Sequence, residues 1–199
     1  MKRCTLIMAD AGPFNSLWVA GRLELLLALD MRVVVVDAVY DELTSDPAYL
    51  KDREVKAIID GNQPPFIVEP TDIGRMEREK RARGAKLKRN AGELAMVDFM
   101  TSDDGLPSYT AVGDPVAILF EDAGVRVINK PPNLHVFSTI GMLHGLERVG
   151  VIESAEEIVR EMTHPTLPGR KPSDARKFTD LPDGIDEPAA LGSSWVPGS

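Results

Sequence analysis

Four consecutive valines in the stretch Arg32-Val-Val-Val-Val36 constrain this chain more than any other feature. A run that is β-branched throughout favours a strand buried on both faces, as found inside a parallel sheet covered by helices. The run passes directly into Asp37, and Val39, Glu42 and Leu43 then recur at helical spacing. Residues 4–9 (CTLIMA) repeat the pattern: a short apolar strand, then Asp10, then Ala-Gly-Pro, with Pro13 placed for the first turn of a helix. That helix carries Phe14, Leu17 and Trp18, breaks at Gly21 and resumes over residues 23–29.

The alternation continues along the chain. A helix over 47–59 closes at Gly61-Asn62 and Pro64-Pro65, and residues 66–69 form a third strand. Residues 71–89 read as a charged helical hairpin bent at Gly84, and an apolar helix starts near Gly92. A weak fourth strand is expected over 109–112. Asp114-Pro115 would then open a helix carrying Val116, Leu119 and Phe120, with a fifth strand over 125–128 and helices over 135–148 and 154–162. This order predicts an α/β fold, a three-layer sandwich around a mostly parallel central sheet of about five strands. Residues 1–162 form the expected domain. Residues 163–199 hold six of the 15 prolines and read as an extended or disordered tail.

The 199 residues are 43% apolar, enough for a core, and no run of about 18 apolar residues exists to span a membrane. Cys4 is alone, which excludes an internal disulfide, and the N-terminal apolar stretch is too short for a signal peptide. A cytoplasmic location is expected. The net charge is −8, yet residues 75–89 hold eight basic residues and two acids, a local +6 that leaves −14 elsewhere. An acidic body with one basic segment argues against general nucleic-acid stickiness and allows a polyanion to be held locally. Arg75, Arg78, Lys80, Arg81, Arg83, Lys86, Lys88 and Arg89 would make those contacts through phosphates. The alternative is a solvated helix face on which Glu77 and Glu79 pair locally.

Active sites of open parallel sheets gather beyond the carboxyl ends of the strands. Asp10, Asp37 and Asp114 fall at expected strand ends, Glu42 lies one helical turn beyond the second strand, and Glu93 sits in the first turn of the helix after Gly92. Converging carboxylates raise one another's pKa or take up a cation, and hard oxygen ligands suit Mg2+ or Mn2+. Such an ion polarises a phosphate and activates water, so the implied reaction is phosphodiester hydrolysis. The competing reading is a set of helix caps and chance acids among 31 Asp and Glu. A phosphoacceptor role for Asp37 or Asp10 ranks last, because no suitably placed Lys follows a later strand. His135, His144 and His164 have no metal-ligand spacing. Ser138 and Thr139 either line the site or cap a helix. Trp195 has no evident role.

Several of these segments carry a resemblance. The run from Asp10 to Leu26, with its Gly21-Arg-Leu-Glu-Leu-Leu turn, resembles the opening of PIN domains. Val39-Tyr-Asp-Glu-Leu43 is similar to that family's second acidic motif, and Gly92-Glu-Leu-Ala95 to the third. The helix after Asp114, closing in Ala-Gly-Val-Arg-Val-Ile, is similar to the fourth. Ser138-Thr-Ile-Gly-Met-Leu143 and Gly150-Val-Ile match the C-terminal part. The resemblance implies an Mg2+- or Mn2+-dependent endoribonuclease, with Asp10, Glu42, Glu93 and Asp114 catalytic and Asp10, Glu93 and Asp114 as metal ligands. Many small bacterial members are VapC-like toxins, which implies an RNA substrate, a small antitoxin partner and a homodimer. Asp41 and the pair Asp103-Asp104 are rivals for two of the acids. Val112 and Gly113 stand where the family often has Thr or a second Asp, and residues 129–137 look inserted. A catalytically inactive PIN-like module that binds RNA or protein is the alternative.

Overall fold

The computed structural model describes residues 5–8, 10–85, 90–111, 113–121 and 134–175. Five strands form one sheet: β1 (Thr5–Met8), β2 (Arg32–Val36), β3 (Phe66–Glu69), β4 (Val116–Phe120) and β5 (Leu134–Ser138). Their spatial order is β3-β2-β1-β4-β5 and every pairing is parallel. The α/β class read from the alternation is the observed one. All of β1 and the valines of β2 are buried, as a strand with helices over both faces requires.

Helix α1 (Gly12–Ala20) has Pro13 in its first turn and ends at Gly21, whose φ of 74° no residue with a side chain adopts easily. The α2 turn (Leu25–Ala28) follows, then α3 (Asp37–Leu43) and α4 (Leu50–Gly61). After β3 come α5 (Asp72–Ala82), α6 (Ala91–Thr101) and the short α7 (Leu106–Tyr109). Helices α8 (Thr139–Arg148) and α9 (Ala155–Thr163) follow β5. Helix α1 packs on α4 and α9, and α9 on α8; α3, α5 and α6 pack on one another. Among the described residues no helix is long and apolar enough to cross a membrane.

The second half of the chain differs from its sequence reading in specific ways. The fourth strand expected over 109–112 is not found in its described part: Tyr109 ends a helical turn over 106–109, Thr110 and Ala111 are not strand, and Val112 lies outside the described residues. Residues 116–120, read as helix, are β4, wholly buried between β1 and β5. A continuous apolar run of five has no periodicity to separate strand from helix, and burial on both faces decides for strand. The helix expected from His135 begins at Thr139, because residues 134–138 are β5. The strand expected over 125–128 lies outside the described residues.

Beyond Thr163 the described chain does not leave the domain. It runs back along α1, with Leu167 against Gly21, Arg170 against Trp18, and a 3-10 turn at Pro172–Asp174 that contacts the helix. Residues 176–199, including Trp195, lie outside the described residues.

Candidate functional site

The chain builds β1, β2 and β3 outward to one side, then returns to place β4 on the other side of β1. The change of direction leaves a crevice at the carboxyl ends of β1 and β4, the usual ligand position in such sheets. Met8 pairs with Leu119, so the residues that follow the two strands meet there.

Asp10 follows β1 and Glu121 follows β4. One Asp10 oxygen accepts the Gly12 N–H at 2.5 Å, and the other accepts the Glu121 N–H at 3.0 Å. Two backbone donors therefore fix the orientation of this carboxylate. Glu121 is 2% exposed; it accepts the Ser16 hydroxyl at 2.8 Å and the Thr139 hydroxyl at 2.5 Å. A Cβ at position 12 would lie 2.7 Å from Asp10 Oδ1 and 2.9 Å from Glu121 Oε2. Only glycine fits between the two acids. Ser138 caps α8 by accepting the Gly141 N–H at 3.1 Å, so of the two hydroxyls it is Thr139 that reaches an acid.

Above Asp10 opens a pocket of about 310 Å³, lined by Asp10, Asn15, Glu42, Asn90, Glu93 and Asp174 among others. Glu42 reaches it from the exposed side of α3, and Glu93 from the first turn of α6. Three of the four acids singled out in the sequence thus share one pocket, although they lie 32 and 51 positions apart along the chain.

Asp114 does not join them. It precedes β4, and its neighbour Pro115 accepts the N–H of Thr5 at the amino end of β1, so Asp114 belongs to the opposite edge of the sheet. Its carboxylate accepts the Ala111 N–H at 3.2 Å in a local turn. The sequence reading put a strand before Asp114, whereas the strand comes after it. The acid that ends β4 is Glu121, which the reading missed. The signal was present: VAILF followed by Glu repeats the pattern of RVVVV followed by Asp.

Asp37, at the end of β2, is 4% exposed and closed off. It accepts the Thr71 hydroxyl at 2.7 Å and pairs with Arg78, and a Cβ at Gly74 would collide with its carboxylate. Asp41 takes Arg78 at 3.3 Å and Arg81 at 3.9 Å, so it turns toward α5 rather than the pocket. Asp103 and Asp104 lie exposed beyond α6.

Of the five described basic residues in the segment 75–89, four pair with acids of the fold. Besides the pairs of Arg78 and Arg81, Arg75 meets Asp72 at 3.0 Å and Lys80 meets Glu77 at 2.6 Å. Arg83 is exposed; Lys86, Lys88 and Arg89 lie outside the described residues. The chain next appears at Asn90, on the rim of the acidic pocket.

Among the described residues, no three His, Cys, Asp or Glu side chains stand close enough to form a metal cage. Asp10, Glu42 and Glu93 offer hard oxygen donors across an open pocket. That donor set suits a cation such as Mg2+, which keeps several waters and takes one or two carboxylates.

No protein-family model matches the chain, and neither a curated protein nor a solved structure shows significant similarity to it.

Proposed function

We propose that the chain is a metal-dependent endoribonuclease of PIN-like type, hydrolysing phosphodiester bonds with Mg2+ or Mn2+. One observation carries this reading: acids from after β1, from α3 and from α6 line one pocket at the topological switch point of a parallel sheet. The family resemblance rests on the chain's own motifs, with Glu121 replacing Asp114 as the fourth acid.

Asp10 is the residue best prepared to hold the ion, since its carboxylate is already oriented by two N–H groups. Glu93 and Glu42 would complete the coordination directly or through water, and either would accept a proton from the attacking water. Glu121, buried behind Gly12, is a positioning residue whose backbone N–H sets Asp10. Asn15 and Asn90 supply amides to ribose or phosphate at the rim. The ion, when bound, neutralises developing charge on the phosphate and activates water. A small antitoxin partner and a homodimer remain part of the proposal through the resemblance alone.

The test is a thermal melt with increasing Mn2+. A folded-state site occupied at about 100 times its Kd adds about 2.7 kcal/mol of stability. Asp10→Asn should erase the gain and the cleavage of RNA together. A full Mn2+ response in that variant rejects the assignment. A PIN-like binding module without turnover is the second reading, favoured by the separation of the pocket acids. It predicts RNA binding that survives Asp10→Asn, with no cleavage in Mn2+ by either protein.

A further inference from the structure

The acidic pocket has one wall that comes from outside the α/β domain expected from the sequence. Ser173, Asp174 and Ala175 line it together with Asp10, Glu42 and Glu93. These residues end a strap that starts at the C-cap of α1 and runs back toward its first turn. Its anchorage is substantial. The Arg170 guanidinium stacks 4.9 Å from the ring centroid of Trp18, a fully buried side chain, and donates to the Trp18 carbonyl and to Glu54. Glu54 also accepts the Trp18 indole N–H at 2.7 Å, so the cation, the ring and the carboxylate hold one another.

Leu167 occupies the space left by the missing side chain of Gly21. At the far end, the Pro172–Asp174 turn, closed by the Lys171 N–H on Asp174 at 3.2 Å, packs on α1, and the Asp174 carboxylate lies near Tyr49. The Tyr49 phenol is raised above its ordinary value, first by burial and then by the neighbouring Asp174 carboxylate. Anchored by Arg170 on Trp18 and packed through its last turn on α1, this segment is a wall and not a loose tail.

The wall has a consequence for what can reach Asp10. The pocket holds about 310 Å³, the low end for a ligand site. Asp174 adds a negative charge on the side facing α1. A single strand can splay one nucleotide at a time into such a space, whereas a duplex keeps its phosphates on a stiff outer surface. The geometry points to a specificity role: the strap Arg170–Ala175 admits an unpaired strand to the acidic pocket and keeps a double helix out. This inference rests on the nuclease reading for its substrate class.

Arg170→Ala in the full chain tests it, with Arg170→Lys as the milder variant that keeps the charge. Carbodiimide labelling read by mass spectrometry reports whether the wall covers the pocket without needing activity. Glu93 and Asp10, measured against exposed Asp72, should label roughly threefold faster in Arg170→Ala. Unchanged labelling overturns the wall outright. Cleavage with Mn2+ is then compared on a labelled 20-nucleotide RNA and on its fully paired duplex. The parent should prefer the single strand by about tenfold, and Arg170→Ala should bring the ratio to about twofold by raising the duplex rate. A ratio that stays put while labelling rises overturns the specificity role.

If no variant cleaves either RNA, the nuclease reading fails by itself. The same preference is then measured as affinity by fluorescence anisotropy in Ca2+. Tighter single-strand binding that relaxes in Arg170→Ala supports the wall, and equal affinities throughout overturn it.

Discussion

Asp10 and Asp37 occupy nearly the same local sequence. Each follows a short apolar strand at the same edge of the sheet, and each stands at the start of a helix. Asp37 is buried, paired with Arg78 and held by Thr71, and its neighbour Gly74 leaves room for nothing else. Asp10 is half-exposed, held by two backbone N–H groups, and faces a pocket shared with Glu42 and Glu93. A cation placed against a strand-end acid ties helices together. Amide donors orient the other acid at the wall of an open pocket. The surroundings, and not the position in the strand, separate a carboxylate closed off by an arginine from one that lines a pocket.

The contrast is broken most directly by the pair Asp10→Asn and Asp37→Asn. Asp10→Asn should lower Mn2+-dependent RNA cleavage by about 100-fold or more while costing only about 1 kcal/mol of stability in the absence of metal, since its amide oxygen can accept just one of the two N–H groups. Asp37→Asn should do the reverse. It should cost about 2 kcal/mol in a urea melt, because Arg78 and Thr71 lose a charged acceptor. Its cleavage per folded molecule should stay within about twofold of the parent. Equal loss of activity in the two variants would mean that the distinction is not functional.

Gly12→Ala sharpens the picture of the pocket. The added methyl must push Asp10 and Glu121 apart, so a stability loss of about 1–3 kcal/mol is expected. A weakened Mn2+ stabilisation should accompany it, measured by the same thermal titration. Loss of stability with an intact Mn2+ response would show that Asp10 does not need that geometry. Smallest of all is Asp114→Asn. At the far edge of the sheet it should shift stability by less than about 0.5 kcal/mol and leave cleavage unaltered. A large loss of cleavage would restore Asp114 to the site at the expense of Glu121.

Legibility from sequence followed the kind of signal each segment carried. The strands 32–36 and 66–69 were readable to the residue, because β-branched runs bounded by turn residues have few alternatives. The break at Gly21 was readable too, since only glycine takes that backbone conformation without strain. Residues 116–120 and 134–138 were not, because Val-Ala-Ile-Leu-Phe and Leu-His-Val-Phe-Ser suit a buried helix as well as a buried strand. That one ambiguity put Asp114, which precedes β4, in the place of Glu121, the acid that ends it. Asp10, Glu42 and Glu93 survived it because β1, α3 and α6 were each assigned correctly.

The sequence alone determined, to within a few residues, the order of the described strands and helices through the first hundred positions, and that acids stand where those strands end. Local propensity and punctuation by Gly and Pro act within a few residues, so they can be read without a fold. Only the tertiary structure decided that Arg78 closes Asp37, that Glu121 backs Asp10, and that Asp174 walls the pocket from a segment expected to trail away. Those are contacts between positions 41, 111 and 164 residues apart, and they exist only once sheet order and helix packing have brought the partners together.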